Sequence, residues 1–184
     1  MKKILVIRND KLGDFMLSYP SFALLKKNLP EASIHALVPA YTKEMAEVCP
    51  WIDHVLIDPA PNAKWPSGFS LAKRFREEHF DAVITLYSRA RVGLAAVLAR
   101  IPYRLAPATQ WAQVFYNHRL TQRRSRSEKP EYAYNADLVR YFLKENKIPV
   151  TNNPRPPFLH FNDQDIQEKR SLFWDKNQII PSTP

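Results

Sequence analysis

The stretch KKILVIRNDKLGDF, residues 2–15, sets the fold class. Ile4-Leu5-Val6-Ile7 is an unbroken apolar run of strand length, the pattern of a strand buried on both faces. A polar loop, Arg8-Asn9-Asp10-Lys11, follows at once. Beyond Gly13 and Asp14, the residues Phe15, Tyr19, Phe22, Leu25 and Leu29 recur at helical spacing until Pro30, predicting one helix from Phe15 to Leu29. A strand, a short polar loop and a helix open a βαβ unit.

The cycle then repeats. Ser33–Val38 predicts a strand and Tyr41–Val48 a short helix; His54–Ile57 predicts a third strand, closed by Asp58-Pro59. Phe69–His79 predicts a helix with Leu71 and Phe75 on its apolar side, Asp81–Leu86 a strand, and Ala90–Arg100 a helix of small residues. Tyr103–Leu105 predicts one more short strand. This alternation specifies an α/β fold, a Rossmann-like parallel sheet of about five strands with flanking helices, the ends of the first and fourth strands on one rim. The rhythm breaks after Pro107. Gln110–Leu120 is aromatic, Thr121–Lys129 (TQRRSRSEK) is a basic loop, and Tyr132–Asn146 returns to helix. An extended piece, Pro157–Phe161, leads to a helix from Asp163 to Trp174. The expected division is a Rossmann-like domain over 1–150 and a linker segment with a helix over 151–184.

Composition bounds the function. The chain has 184 residues, 45% hydrophobic and 24% charged, the balance of one soluble globular domain. A formal charge of +9 favours polyanionic partners: nucleic acid, anionic lipid headgroups or phosphorylated sugars. The single cysteine, Cys49, excludes an intrachain disulfide and fits a reducing compartment. The apolar run at the N-terminus stops after four residues, short of a signal peptide, and no run reaches the length of a membrane span. A cytoplasmic protein is expected, peripheral to a membrane at most.

In open parallel sheets, ligands bind beyond the carboxyl ends of the strands, so the Arg8–Asp14 loop faces the crevice. Gly13 permits a tight turn into the helix. Asp14 then falls at or near the N-cap, where a carboxylate accepts backbone N–H bonds. It is either a helix cap or a carboxylate aimed at a ligand. A dinucleotide fingerprint would need G-x-G-x-x-G here, whereas the chain holds three glycines, Gly13, Gly68 and Gly93. With no P-loop either, no nucleotide cofactor is expected.

The opening residues 1–58, with their "(R/K)xxxxGD" loop and the helix–strand pattern after it, resemble the heptosyltransferases of glycosyltransferase family nine. FDAVITLYSRARVGLAAVLARIPYRLAP, residues 80–107, is similar to the segment where that family has an apolar strand, a small-residue helix and an arginine-bearing strand. The resemblance is close to residue 107 and looser beyond. It implies the N-terminal, acceptor-binding domain of a two-domain GT-B glycosyltransferase, whose other domain holds the nucleotide-sugar donor. Such enzymes transfer a heptose from ADP-heptose to the lipopolysaccharide inner core, inverting the anomeric centre without a metal. The resemblance casts Asp14 as the general base on the acceptor hydroxyl, a role a carboxylate suits because a sugar hydroxyl is a poor nucleophile until its proton is taken. The family continues into its donor domain near where this sequence reaches Ile179–Pro184. The donor half is therefore expected to be missing, leaving a truncated product or one part of a split protein that is inactive alone.

Basic residues group twice, at Lys64, Lys73, Arg74 and Arg76, and at Arg119, Arg123, Arg124, Arg126 and Lys129. They read either as solvated faces or as a cradle for the phosphates and carboxylates of a lipid A–Kdo acceptor at the inner face of the inner membrane. Arg8, Lys11 and Gly13, beside Asp14, are the better placed substrate-binding candidates, with Arg123, Arg124 and Arg126 behind them. Asp163-Gln164-Asp165 spells the D-x-D of metal-dependent glycosyltransferases but stands where a helix opens, so no metal is expected. Trp111, Phe115 and Tyr116 form either core or a lipid-facing patch, with core the preferred reading. Scattered charge without a nucleic-acid motif argues against a nucleic-acid partner. The remaining alternative to an enzyme half is a non-catalytic binding module for anionic glycolipid.

Overall fold

The computed structural model describes residues 2–60, 68–108, 111–159 and 161–177. Lys64, Gln110 and the 179–184 terminus, singled out above, lie outside them.

Six parallel strands form one sheet: β1 (Lys3–Ile7), β2 (Ser33–Pro39), β3 (His54–Asp58), β4 (Ala82–Thr85), β5 (Tyr103–Pro107) and β6 (His118–Leu120). Their order is β3-β2-β1-β4-β5-β6, with Ile4 in register with Ile34 on one side and Ala82 on the other. β1 is thus central, which is why Ile4 to Ile7 need no polar alternation. Ile4 and Val6 feed one layer of core with Phe15, Phe22, Leu25, Leu138 and Phe142. Leu5 and Ile7 feed the opposite layer with Leu71, Phe75, Val92 and Ala96. The helices are α1 (Leu12–Met16), α2 (Tyr19–Asn28), α3 (Lys43–Glu47), α4 (Gly68–Glu78), α5 (Ala90–Leu98), α6 (Glu131–Glu145) and α7 (Asp163–Asn177).

The structure corrects three expectations. The single helix from Phe15 to Leu29 is two, α1 and α2, broken at Leu17–Ser18. Pro20 explains the break: it has no N–H to give a preceding turn, but at the second position of α2 that donor would be unused anyway. The sheet has six strands rather than five. β6 is His-Arg-Leu, partly exposed at the sheet edge, and pairs Leu105 with His118 through Pro107 with Leu120. So short and polar an edge strand leaves no apolar run to read. The third correction concerns the aromatic segment. Tyr116 is buried, but Trp111 is 66% exposed, so core is right for only part of it. The Trp111–Phe115 turn packs on α5, where Gly93 makes room: a Cβ there would stand 2.8 Å from Cβ of Phe115.

Ile148, Phe158 and Leu159 pack against the core, and the Trp51 indole N–H donates to the carbonyl of Phe158 at 3.1 Å. No residue of α7 is buried. Among the described residues, no helix is long and apolar enough to cross a membrane.

Candidate functional site

The strand order reverses between β1 and β4, which makes the space beyond their carboxyl ends the topological switch point of the sheet. A cleft of about 990 Å³ opens there. Its walls come from the segments after β1, β2, β4, β5 and β6 and from the first residue of α6. Asp14, Lys11, Arg123 and Arg124 line it together, joined by Arg89 and Glu131, which the sequence did not single out.

Arg8 follows β1 directly and is 3% exposed. A buried guanidinium must be paired, and this one is paired on every side. Its Nε donates to Oδ1 of Asp10 at 2.8 Å, and its Nη1 donates to Oε1 of Glu131 at 2.9 Å and to Oδ1 of Asn135 at 3.3 Å. Its Nη2 stands 3.5 Å from Oδ1 of Asp14. The Tyr87 ring lies 5.9 Å away on its flat face. Arg8 lines the cleft, and its guanidinium is engaged with the protein carboxylates beside it. Burial is the main cause that raises the Asp10 carboxyl above its usual range; Arg8 opposes it and the charge of Asp14 adds to it.

Asp14 is not the helix cap. Lys11 occupies that position, and no side chain caps α1. Asp14 sits in the first turn, one-third exposed at 33%, between Arg8 and the cleft. Its hold on the helix is through its carbonyl, which accepts from Oγ of Ser18 at 3.1 Å. Gly13 has no left-handed backbone, so the tight-turn argument for it fails; a Cβ there would meet open space.

The basic loop divides. Arg124 is anchored: its Nε donates to Oε1 of Gln122 at 3.0 Å and its Nη1 to Oε1 of Glu131 at 2.6 Å. Burial lowers its pKa, with Glu131 opposing. Its Nη2 is buried with no hydrogen-bond partner in the protein. Arg123 is exposed on the cleft wall. Arg126 is not among the lining residues; its side chain is 63% exposed and pairs with Glu128 at 3.9 Å.

Behind the cleft lies a buried pair that sequence reading passed over as a strand end. Asp58, closing β3, meets the guanidinium of Arg91 from α5 and accepts from Nδ2 of Asn9 at 2.7 Å. Asn9 ties the Arg8–Asp14 loop to this anchor. A polar Asn between Arg8 and Asp10 was the available signal, but nothing local revealed its partner 49 residues away. Asp163 and Asp165 open α7, where Asn162 accepts from the backbone N–H of Asp165 at 2.6 Å and donates to its carboxylate. Among the described residues no group of three or more metal-ligating side chains gathers.

A reversed parallel sheet with a charged switch-point cleft defines a Rossmann-like α/β domain of the kind that forms half of GT-B glycosyltransferases. The fold matches the Escherichia coli ADP-heptose lipopolysaccharide heptosyltransferase II with a TM-score of 0.73 and 18% identity, over 94% of this chain and 50% of that one. It matches a family nine glycosyltransferase from Veillonella parvula equally, with a TM-score of 0.73 and 19% identity, over 96% of this chain and 50% of the other. In sequence, the chain is 52% identical over 178 residues to a putative glycosyltransferase of Haemophilus influenzae, covering 96% of this chain and 50% of the relative. It is 28% identical over 104 residues to lipopolysaccharide heptosyltransferase 2 of Salmonella typhimurium, covering 55% of this chain and 30% of that protein. No protein-family model matches. The chain is a homologue of heptosyltransferase-like glycosyltransferases. It spans about half the length of the Haemophilus influenzae relative and of the two solved structures.

Proposed function

We propose that residues 1–184 form the acceptor-binding half of a glycosyltransferase that moves a heptose from ADP-heptose to the lipopolysaccharide inner core. The donor site belongs to the other half of the protein. The observation that carries this reading is Asp14, a partly exposed carboxylate at the switch-point cleft, held from behind by the buried Arg8. A base in that position takes the proton of an acceptor hydroxyl as the hydroxyl attacks the anomeric carbon and the nucleotide diphosphate leaves. Arg123, Lys11 and Arg124 supply the positive wall for the phosphates and carboxylates of a lipid A–Kdo acceptor. An acceptor of this kind brings the protein to the inner face of the inner membrane.

The test joins residues 1–184 to the remaining half of the Haemophilus influenzae relative and assays heptose transfer beside residues 1–184 alone. Transfer by the joined protein and none by the 184-residue chain is the expected result. Acceptor binding without transfer in a folded joined protein would assign the chain to a binding module instead.

A further inference from the structure

One oxygen serves two arginines. Oε1 of Glu131 accepts from Nη1 of Arg8 at 2.9 Å and from Nη1 of Arg124 at 2.6 Å. Arg8 reaches on to Asp14, and Arg124 presents a buried Nη2 that no protein group satisfies. We propose that Glu131 is a positioning residue that couples anion capture at Arg124 to the placement of Asp14, through Arg8. This rests on the reading of the cleft as an acceptor site with Asp14 as its base.

The coupling follows from charge and reach. Within the cluster two guanidinium groups, Arg8 and Arg124, are shared among three carboxylates, Asp10, Asp14 and Glu131, by direct ion pairs. An anion at the cleft wall that reaches the buried, unpartnered Nη2 of Arg124 shares that cation with Glu131. Glu131 then leans more on Arg8. Of the three ion contacts of Arg8, the one to Asp14 is the longest, 3.5 Å against 2.8 and 2.9 Å, and it is the first to loosen. Asp14 is released toward the cleft when the anionic part of the acceptor is seated, and is held by Arg8 when the cleft is empty. Glu131 is well placed for this because it opens α6, whose Asn135 also meets Arg8 and donates to the carbonyl of Leu17 at 3.4 Å. The relay is thereby tied to the end of α1, the helix that carries Asp14.

Inorganic phosphate is the probe, titrated into the 184-residue chain and followed by two-dimensional NMR of backbone amides and arginine Nε–H groups. In the parent, Arg124 and Arg123 shift, and Arg8 and Asp14 shift with the same half-saturation concentration. In Glu131→Ala, the Arg123 and Arg124 responses persist while those of Arg8 and Asp14 shrink at least about fivefold, the relay having lost its middle member. Glu131→Gln, which keeps the shape of the side chain but not its charge, falls between the two and guards against a folding defect. Full Arg8 and Asp14 responses in Glu131→Ala would overturn the relay, as would a parent in which Arg124 responds and Asp14 does not. No response anywhere in the parent would instead remove the anion site, and the relay with it.

Discussion

Nη2 of Arg8 lies 3.5 Å from Oδ1 of Asp14, so the carboxylate facing the cleft is backed by a cation that solvent hardly reaches. Breaking a buried charge cluster by removing one member costs about 3–5 kcal/mol, since the partners left behind lose their counter-charge. Arg8→Met strands Asp10 and Asp14 and leaves Glu131 with Arg124 alone. Urea unfolding of this variant is expected to show a loss of that size; a loss under about 1 kcal/mol would mean the cluster is hydrated and Arg8 is no hub.

Two glycines give opposite expectations. Gly93→Ala drives a Cβ to 2.8 Å from Cβ of Phe115 and 3.0 Å from Cε2 of Tyr116, and overpacking of this kind costs about 1–3 kcal/mol. Gly13→Ala meets nothing within 4 Å and removes a flexible residue from α1, so it is expected to stabilise by about 0.5–1 kcal/mol. Thermal unfolding of the pair checks the contrast, which disappears if α5 can shift away from the Trp111–Phe115 turn.

What the sequence showed depended on how local the signal was. β1 was legible because Ile4–Ile7 must be apolar on both faces, and the βαβ rhythm followed from it. The break at Ser18 was hidden because Phe15, Tyr19 and Phe22 keep helical spacing across it and still enter the same core layer. β6 was hidden because an edge strand needs no hydrophobic run. Asp14, Lys11, Arg123 and Arg124 were found from a loop position and a charge cluster, and they do share the cleft. Glu131 and Asp58 were missed because their meaning lies in partners 123 and 33 residues distant in sequence, Arg8 and Arg91.

His35 makes stability depend on acidity. It is buried on β2 against His54 at 4.5 Å and Phe80 at 5.1 Å, and burial, with help from His54 and Lys3, lowers its pKa to about 4. The folded protein therefore binds the His35 proton less readily than the unfolded chain, whose histidines titrate near about 6.5. This contribution is fully present above the unfolded value and is lost as pH falls from there toward about 4. The slope for one proton is at most about 1.4 kcal/mol per pH unit. The carboxylate of Asp81, held below its usual range chiefly by the backbone N–H of Lys3, is lost only at lower pH. Urea unfolding at pH 7.5, 6 and 5 is expected to show a decline that His35→Phe flattens; an equal decline in the variant would assign it elsewhere.

The arginines of the basic loop separate by position. If the cleft wall attracts anionic lipid headgroups, Arg123→Gln is expected to weaken binding to anionic vesicles at low salt, and less so near physiological salt, where the screening length is about 8 Å. Arg126→Gln, pairing outward with Glu128, is expected to matter less. Equal effects of the two would show that only net charge counts.

The central claim is that Asp14 is a base and not a structural carboxylate, and turnover of Asp14→Asn in the protein joined to its donor half tests it most directly. Asparagine keeps the size of the side chain but cannot take a proton. Since no side-chain cap depends on Asp14, and Arg8 keeps its shorter contacts to Asp10 and Glu131 at 2.8 and 2.9 Å, the variant is expected to melt close to the parent. Its turnover is expected to fall by roughly 10²–10⁴-fold, the usual worth of general-base help, with acceptor binding changed far less. A folded Asp14→Asn protein that turns over at the parental rate would contradict the account.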